Sequence, residues 1–238
     1  MSRLFALVAA VGWVLTLGSI PVAADRASDG IDTYERERIA LVLRRLGLER
    51  EPEPEGKVID HIRVVRDDVF VQQEPWPIWF NLFHTLTREP VIEQELLFEP
   101  GDRYDKRAVQ ETTRNLRDLG IFSLVSIAPA KVDRPDRVGV VVHTRDLWSL
   151  RLEQDFQFTG SDFDFLFLRI TERNLFGRNM QAGIRFRLNP VTYSLGESFS
   201  AHRIFGQQLS TSHALDLIFN RETGGMEGTT GSLSLGRP

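Results

Sequence analysis

The C-terminal part of the chain alternates between apolar and polar positions. Over residues 148–158 the even positions Trp148, Leu150, Leu152, Phe156 and Phe158 are apolar, whereas Ser149, Arg151, Glu153, Asp155 and Gln157 are polar. Successive strand side chains point to opposite faces, so this spacing predicts a strand with one apolar and one wet face. Residues 180–188 repeat the pattern, with Met180, Ala182, Ile184, Phe186 and Leu188 against Gln181, Gly183, Arg185 and Arg187. Further strands are expected at 163–171, 194–203, 209–220 and 229–235. Turns are expected at Thr159-Gly160-Ser161, at 174–179, at Asn189-Pro190 and at Thr223-Gly224-Gly225. No helical period occurs after residue 148.

Upstream the period changes. Residues 32–47 predict a helix: Ile39, Leu43 and Leu46 recur at helical spacing, Asp32 stands ready to cap, Glu35 follows three residues later, and Gly47 ends it. Its Glu35, Arg36, Glu37, Arg38, Arg44 and Arg45 read as a solvated face. The proline-spaced run 49–56, EREPEPEG, suits neither a helix nor a central strand and marks a boundary near residue 56. A strand at 57–66, a helix at 91–98 behind Pro90, a helix at 104–119 closed by Gly120, and strands at 121–128 and 137–146 follow. The fold class is α+β in the order β-α-α-β-β over 57–148, then antiparallel all-β over 149–238.

Composition narrows what these elements can be. The 238 residues carry 29 Lys+Arg against 33 Asp+Glu, net charge -4, without the basic surplus of a nucleic-acid binder. Cys is 0, which excludes disulfides and thiolate sites. Arg3, the apolar run 4–17 and Val22-Ala23-Ala24 ahead of Asp25 read as a signal peptide over 1–24, because the run is shorter than the ~20 residues of a spanning helix. Residues 25–56 then form an N-terminal helix and linker. Strands of ~9–11 residues with charges on the polar face are those of a transmembrane β-barrel. A soluble antiparallel sheet covering a core has the same period. The export signal, the lack of cysteine and the neutral balance of 149–238 weigh for the barrel.

Catalytic chemistry finds little support. His61, His84, His143, His202 and His213 are scattered, without a His-x-His or HExxH motif, so no metal is expected. Asp162 and Asp164 read as a hairpin tip. There is no G-x-S-x-G and no phosphate-binding glycine loop, so neither an enzyme nor a cofactor is expected. Trp76, Trp79, Phe80 and Phe83 recur at i, i+3, i+4, i+7, which reads as an insertion packed on its own module in preference to a membrane-surface element. Arg114 and Arg117 are placed to pair with Glu111 or Asp118 as scaffold.

Residues 57–148 resemble a POTRA domain, the periplasmic module of the BamA/TamA (Omp85) family. The matching run is Asn81, His84, Thr87-Arg88, Val91-Ile92, Glu95-Leu96-Leu97-Phe98, Gly101-Asp102, Glu111, Arg114, Leu116-Arg117, Leu119, Val142, Thr144, Asp146 and Trp148-Ser149-Leu150. Glu172 with Asn174-Leu175-Phe176-Gly177-Arg178-Asn179 is similar to the first hairpin of the family's barrel, and His202-Arg203-Ile204-Phe205-Gly206 to a later strand and turn. The resemblance implies a three-stranded sheet with two helices on one face, then a barrel, with Gly101, Asp102, Arg114, Leu116, Gly120, Asn174 and Gly177 as structural positions.

It also implies a role in recognition. The edge strand Ile121, Phe122, Ser123, Leu124, Val125, Ser126, Ile127 would accept an extended partner. The first barrel strands would form one side of a lateral seam, with Trp148, Leu150, Leu152, Phe156 and Phe158 toward lipid. Implied partners are unfolded or extended outer-membrane client polypeptides, periplasmic or lipoprotein partners, and outer-membrane lipid, with no nucleic acid. Six strands fall short of the ~8 that close a barrel, so the chain is expected to be an N-terminal piece with an incomplete barrel. Two other readings stay open: a soluble periplasmic protein-binding module, and a barrel acting only as pore or anchor.

Overall fold

The computed structural model describes residues 33–69, 84–160, 162–203 and 209–237. The expected signal peptide, the Trp76/Trp79/Phe80/Phe83 cluster and residues 204–208 lie outside the described residues.

The first sheet is built from β1 (Val58–Asp67), β2 (Phe122–Ala130) and β3 (Arg137–Asp146) in the spatial order β1-β3-β2. Central β3 runs parallel to β1 and antiparallel to β2, and its Val138, Val140, Val141 and Val142 are buried. A strand covered on both faces must be apolar on both, as this valine run is. One face is covered by α2 (Glu89–Glu93) and α3 (Lys106–Asp118), whose Ile92, Val109 and Leu116 pack with Phe98, Tyr104, Ile59, Val125, Val138, Val140 and Val142. The carboxylate of Asp105 caps α3 by accepting from the Arg107 amide. Gly120 follows at φ +66, a left-handed conformation that lets the chain leave α3 directly into β2.

Helix α2 is shorter than the helix expected at 91–98. Pro90 sets its first turn, but the Leu97 amide is taken by the Thr112 hydroxyl at 3.0 Å instead of a carbonyl one turn back. Residues 96–98 therefore run on as irregular chain, while Leu96 and Phe98 still fill the core.

The opposite face carries α1 (Thr33–Arg45), with Ile39, Val42 and Leu43 seated on Ala128 and Ala130 of β2 and on Val141 of β3. Two alanines on one strand leave room for the helix. The run expected to mark a boundary near residue 56 is mostly exposed, yet its backbone is tied to the end of β2: Glu51 N–H donates to Pro129 C=O at 3.1 Å, and Lys131 N–H to Glu49 C=O at 2.8 Å. Glu35, expected on a wet face, instead accepts from Arg117 at 2.7 and 2.6 Å, since Arg117 reaches from α3 past the Val125 carbonyl at the β2 edge to α1 on the other face. Arg114 pairs with Glu111 as expected.

The second sheet is a six-stranded antiparallel meander: β4 (Leu150–Thr159), β5 (Asp162–Glu172), β6 (Met180–Leu188), β7 (Thr192–Ala201), β8 (Ser210–Asn220) and β9 (Met226–Gly236). Its order leaves β4 and β9 at the two edges. Register places Leu168, Phe186, Leu195 and Leu217 in one row across four strands, and Leu152, Ile170 and Ile184 in another. The opposite face carries the row Glu153, Arg169, Arg185, Gly196, Asp216. There Arg185 reaches over Gly196 to grip Asp216 through two hydrogen bonds of 2.7 and 2.6 Å, and a Cβ on Gly196 would overlap the Asp216 carboxylate.

Exposure of the apolar face fits the barrel. Phe156 is 58% exposed, Ile184 64% and Leu195 52%, all on the apolar face. A soluble sheet would bury that face under other elements, whereas a barrel turns it to lipid. Among the described residues no element covers it. The sheet is open and matches an incomplete barrel.

Candidate functional site

The expected site residues lie on two strand edges, and a buried polar joint connects the two sheets. On the first edge, β2 has a strand neighbour on one side only. Ile121 is tied inward, its carbonyl accepting from the Leu147 amide at 2.8 Å, and a register shift follows between Phe122 and Leu124. Ser123 donates through its hydroxyl to the Asp146 carbonyl at 3.1 Å. Beyond that irregularity Val125 and Ile127 turn their side chains to the α3 core. Ser126 is buried. The Val125 and Pro129 carbonyls point away from β3, the first toward the Arg117 guanidinium at 3.4 Å and the second toward Glu51 N–H. Alternation along an antiparallel strand turns the main-chain groups of Ile127 the same way.

The second edge is β4. Leu150, Leu152, Phe156 and Phe158 of the expected seam are exposed, at 38%, 49%, 58% and 51%. A register shift between Gln157 and Phe158 ends the regular pairing, and Phe158 meets the edges of Phe156 and Phe163 at centroid distances of 6.1 and 5.7 Å. Trp148, expected on the same face, precedes β4 in the connection from β3 and is half-buried there.

Between the edges lies a buried polar joint. Asp146 ends β3 with its side chain fully buried. Its Oδ2 accepts from His84 Nε2 at 2.9 Å, from Thr87 N–H at 2.7 Å and from the Thr87 hydroxyl at 2.8 Å. Asn174 in the β5–β6 connection donates through Nδ2 to the same hydroxyl oxygen at 2.7 Å and accepts from Asn179 N–H at 2.9 Å. Arg88 N–H donates to Gly177 C=O at 2.8 Å, Arg88 Nε to Phe176 C=O at 3.0 Å, and Arg173 N–H to Ser149 C=O at 3.1 Å. Gly177 has φ +68, and a Cβ there would overlap the Leu86 carbonyl oxygen, so only glycine allows this approach. Burial opposes a charge on His84. The hydrogen bond and charge of Asp146, helped by Asp68 and Glu172, outweigh it and raise the His84 pKa above its ordinary value.

The sequence named these residues one at a time. The structure brings Asp146 and Thr87, 59 residues apart, and Thr87 and Asn174, 87 apart, into one network. The remaining motif positions are scaffold. Gly101 at φ +100 and the Asp102 carbonyl bind the interhelical turn to Ile59, and Leu116 fills the core. Sequence reasoning missed the joint, although polar Asp146 and Asn174 at the ends of apolar strands are its visible trace.

Comparison with known proteins falls on both sheets. Residues 83–145 match the POTRA family model, described as surface antigen variable number repeat. Over 88% of this chain and 43% of that one, the fold matches the crystal structure of BamA from Haemophilus ducreyi lacking POTRA domains 1-3, at a TM-score of 0.54 and 14% identity. Residues 83–145 thus read as a POTRA domain, and the fold of the two sheets together is like that of the BamA structure. It is also 28% identical over 124 residues to the outer membrane protein assembly factor BamA of Neorickettsia risticii (strain Illinois), across 51% of this chain and 16% of that protein. The chain thus spans about a sixth of that relative's length. The buried joint links the sheet of the POTRA match to the first strands of the six-stranded sheet.

Proposed function

We propose that the chain acts at the outer membrane as an assembly or translocation protein of the Omp85 type. In this reading a signal peptide over 1–24 exports it, an N-terminal helix and linker span 25–56, the POTRA domain over 57–148 faces the periplasm, and residues 149–238 enter the barrel. The β2 edge, within Ile121–Ile127, takes an extended client strand by main-chain hydrogen bonding. The β4 edge forms one side of a lateral seam through which the strand reaches lipid with its backbone groups paired. Clients are unfolded or extended outer-membrane polypeptides, with periplasmic or lipoprotein partners assisting. No catalytic step is involved.

The observation that carries this reading is the joint itself. It ties a POTRA sheet with an open edge to a barrel sheet with an open edge, through a buried aspartate and a glycine that admits no side chain. Depletion of the full gene product tests it, with complementation by the native sequence or by Ile127→Pro, which removes one outward N–H from the middle of the β2 edge. The native sequence should restore assembled outer-membrane barrel proteins, and Ile127→Pro should fail to do so while itself accumulating normally. Normal levels of other barrel proteins during depletion would overturn the reading and leave a pore or anchor. Release of the intact product without detergent would leave a soluble binding module.

A further inference from the structure

The β2 edge is not wholly open. Arg50 sits opposite Ala130 as an antiparallel bridge, flanked by the hydrogen bonds of Glu51 to Pro129 and Lys131 to Glu49. Pro129 has no N–H, so its outer side offers only a carbonyl, and Glu51 occupies it. Farther along, Arg117 points at the Val125 carbonyl while the Glu35 carboxylate of α1 holds the same guanidinium. Pairing cannot extend from Glu51 toward Val125, because the chain turns off to begin β1: Lys57 N–H donates to Pro54 C=O at 3.1 Å and Gly56 N–H to Tyr104 C=O at 3.0 Å. Ile127 lies between the two occupied carbonyls of Val125 and Pro129.

We infer that residues 33–51 are a built-in competitor for the strand that β2 receives. The inference rests on the reading of β2 as the client edge. A strand pairing only around Ile127 finds a short foothold. A longer one must lift Glu49–Glu51 off Pro129–Lys131 and take the Val125 carbonyl from Arg117. The competitor is held by two main-chain hydrogen bonds, three buried side chains of α1 on two alanines and a valine, and polar pairs at or near the surface: Lys131–Glu49 at 2.9 Å, Glu35–Arg117 at 2.6 Å, Lys57–Glu51 at 3.0 Å, Arg45–Asp67 at 3.6 Å and Arg145–Tyr34 at 3.3 Å. Strand addition along β2 would replace those bonds with a continuous ladder. The partner that fits is therefore an extended segment of strand length, and short peptides are excluded.

The double variant Arg50→Cys/Ala130→Cys tests this in the full chain in detergent, which has no other cysteine. The two residues form the close, non-hydrogen-bonded kind of antiparallel pair, with Cα atoms ~4.5 Å apart, within the span of a disulfide. The probe is a labelled nine-residue peptide with the sequence of Met180–Leu188, read by fluorescence anisotropy and by amide exchange on β2. The reduced protein should bind it, oxidation should weaken binding at least about tenfold, and Arg117→Leu should tighten it several-fold. Equal binding by the oxidised and reduced forms, with Val125 and Ile127 protected in both, overturns the competition and leaves the client edge standing. No binding by either the reduced form or Arg117→Leu overturns the client edge, and the competition falls with it.

Discussion

Gly177→Ala is the sharpest perturbation of the joint. At φ +68 an alanine carries the left-handed penalty of about 1 kcal/mol. The added carbon would also overlap the Leu86 carbonyl oxygen, with the Leu86 carbonyl carbon at 3.2 Å and Arg88 Cγ at 3.4 Å. The obstacle is backbone, so the β5–β6 connection must draw back. That motion breaks the Arg88–Gly177 bond of 2.8 Å and loosens the Asn174–Thr87 bond of 2.7 Å, each worth about 1 kcal/mol net. The joint should lose about 3 kcal/mol in all, roughly a hundredfold in its opening equilibrium. Amide exchange of the full chain reads this directly, because Arg88 N–H and Thr87 N–H are donors within the joint. Gly160→Ala is the control: its φ is +65 and a Cβ there meets nothing within 4 Å, so it carries the conformational penalty alone. Exchange at Arg88 should accelerate about a hundredfold in Gly177→Ala and stay unchanged in Gly160→Ala. Native protection of Arg88 in Gly177→Ala would refute the close-approach argument.

Two further outcomes follow from the same network. Asp146→Ala leaves the buried donors of His84 and Thr87 without an acceptor and should destabilise the POTRA domain by about 3–5 kcal/mol. Asp146→Asn keeps one acceptor oxygen and should cost about half as much, so equal melting shifts for the two variants would contradict the assigned hydrogen bonds. The His84 pKa is raised on folding, so its stabilisation is complete below the unfolded value of about 6.5 and is lost as pH rises through the higher folded value. Protection of the Thr87 amide, corrected for intrinsic exchange, should fall as pH rises through that range, and His84→Gln should abolish the dependence. A rise with pH would reverse the assigned sign.

Much of the architecture was legible because it follows local rules. Period-two alternation marked β4 and β6, and the other four strands of the second sheet lie where segments between turn signals were expected, because a sheet with one apolar and one polar face leaves its period in the sequence. Gly120 closed α3 through its conformation, which is also local. What escaped was non-local. Nothing in EREPEPEG shows that Glu49 and Glu51 pair with β2, because main-chain pairing leaves no side-chain signature. Glu35 looks solvated in a helical projection that does not include Arg117. The joint likewise depends on Thr87 meeting Asn174, a contact that only the assembled sheets create.

The placement of the joint matters for the seam. Its bonds grip the β5–β6 connection through Asn174, Phe176 and Gly177, whereas the outer side of β4 takes no strand partner in the six-stranded sheet. The first sheet and its helices therefore hold the second sheet through the connection between its second and third strands, and Arg203, just beyond β7, adds a pair with Glu95 at 3.0 Å. The first strand is held by its own ladder with β5 and by the short connection through Leu147 and Ser149. In the proposed role, force arriving at β2 passes along β3 to Asp146, then to Thr87 and Asn174, and so reaches β5 and β6 without needing to grip β4. A seam edge that pairs with an incoming strand must stay uncommitted on its outer side, and anchoring one strand further in achieves this. If the joint instead fixed β4, Gly177→Ala would loosen β4 before β6. The geometry requires the reverse order, with amides at the start of β6 exchanging faster while the β4–β5 ladder keeps its protection.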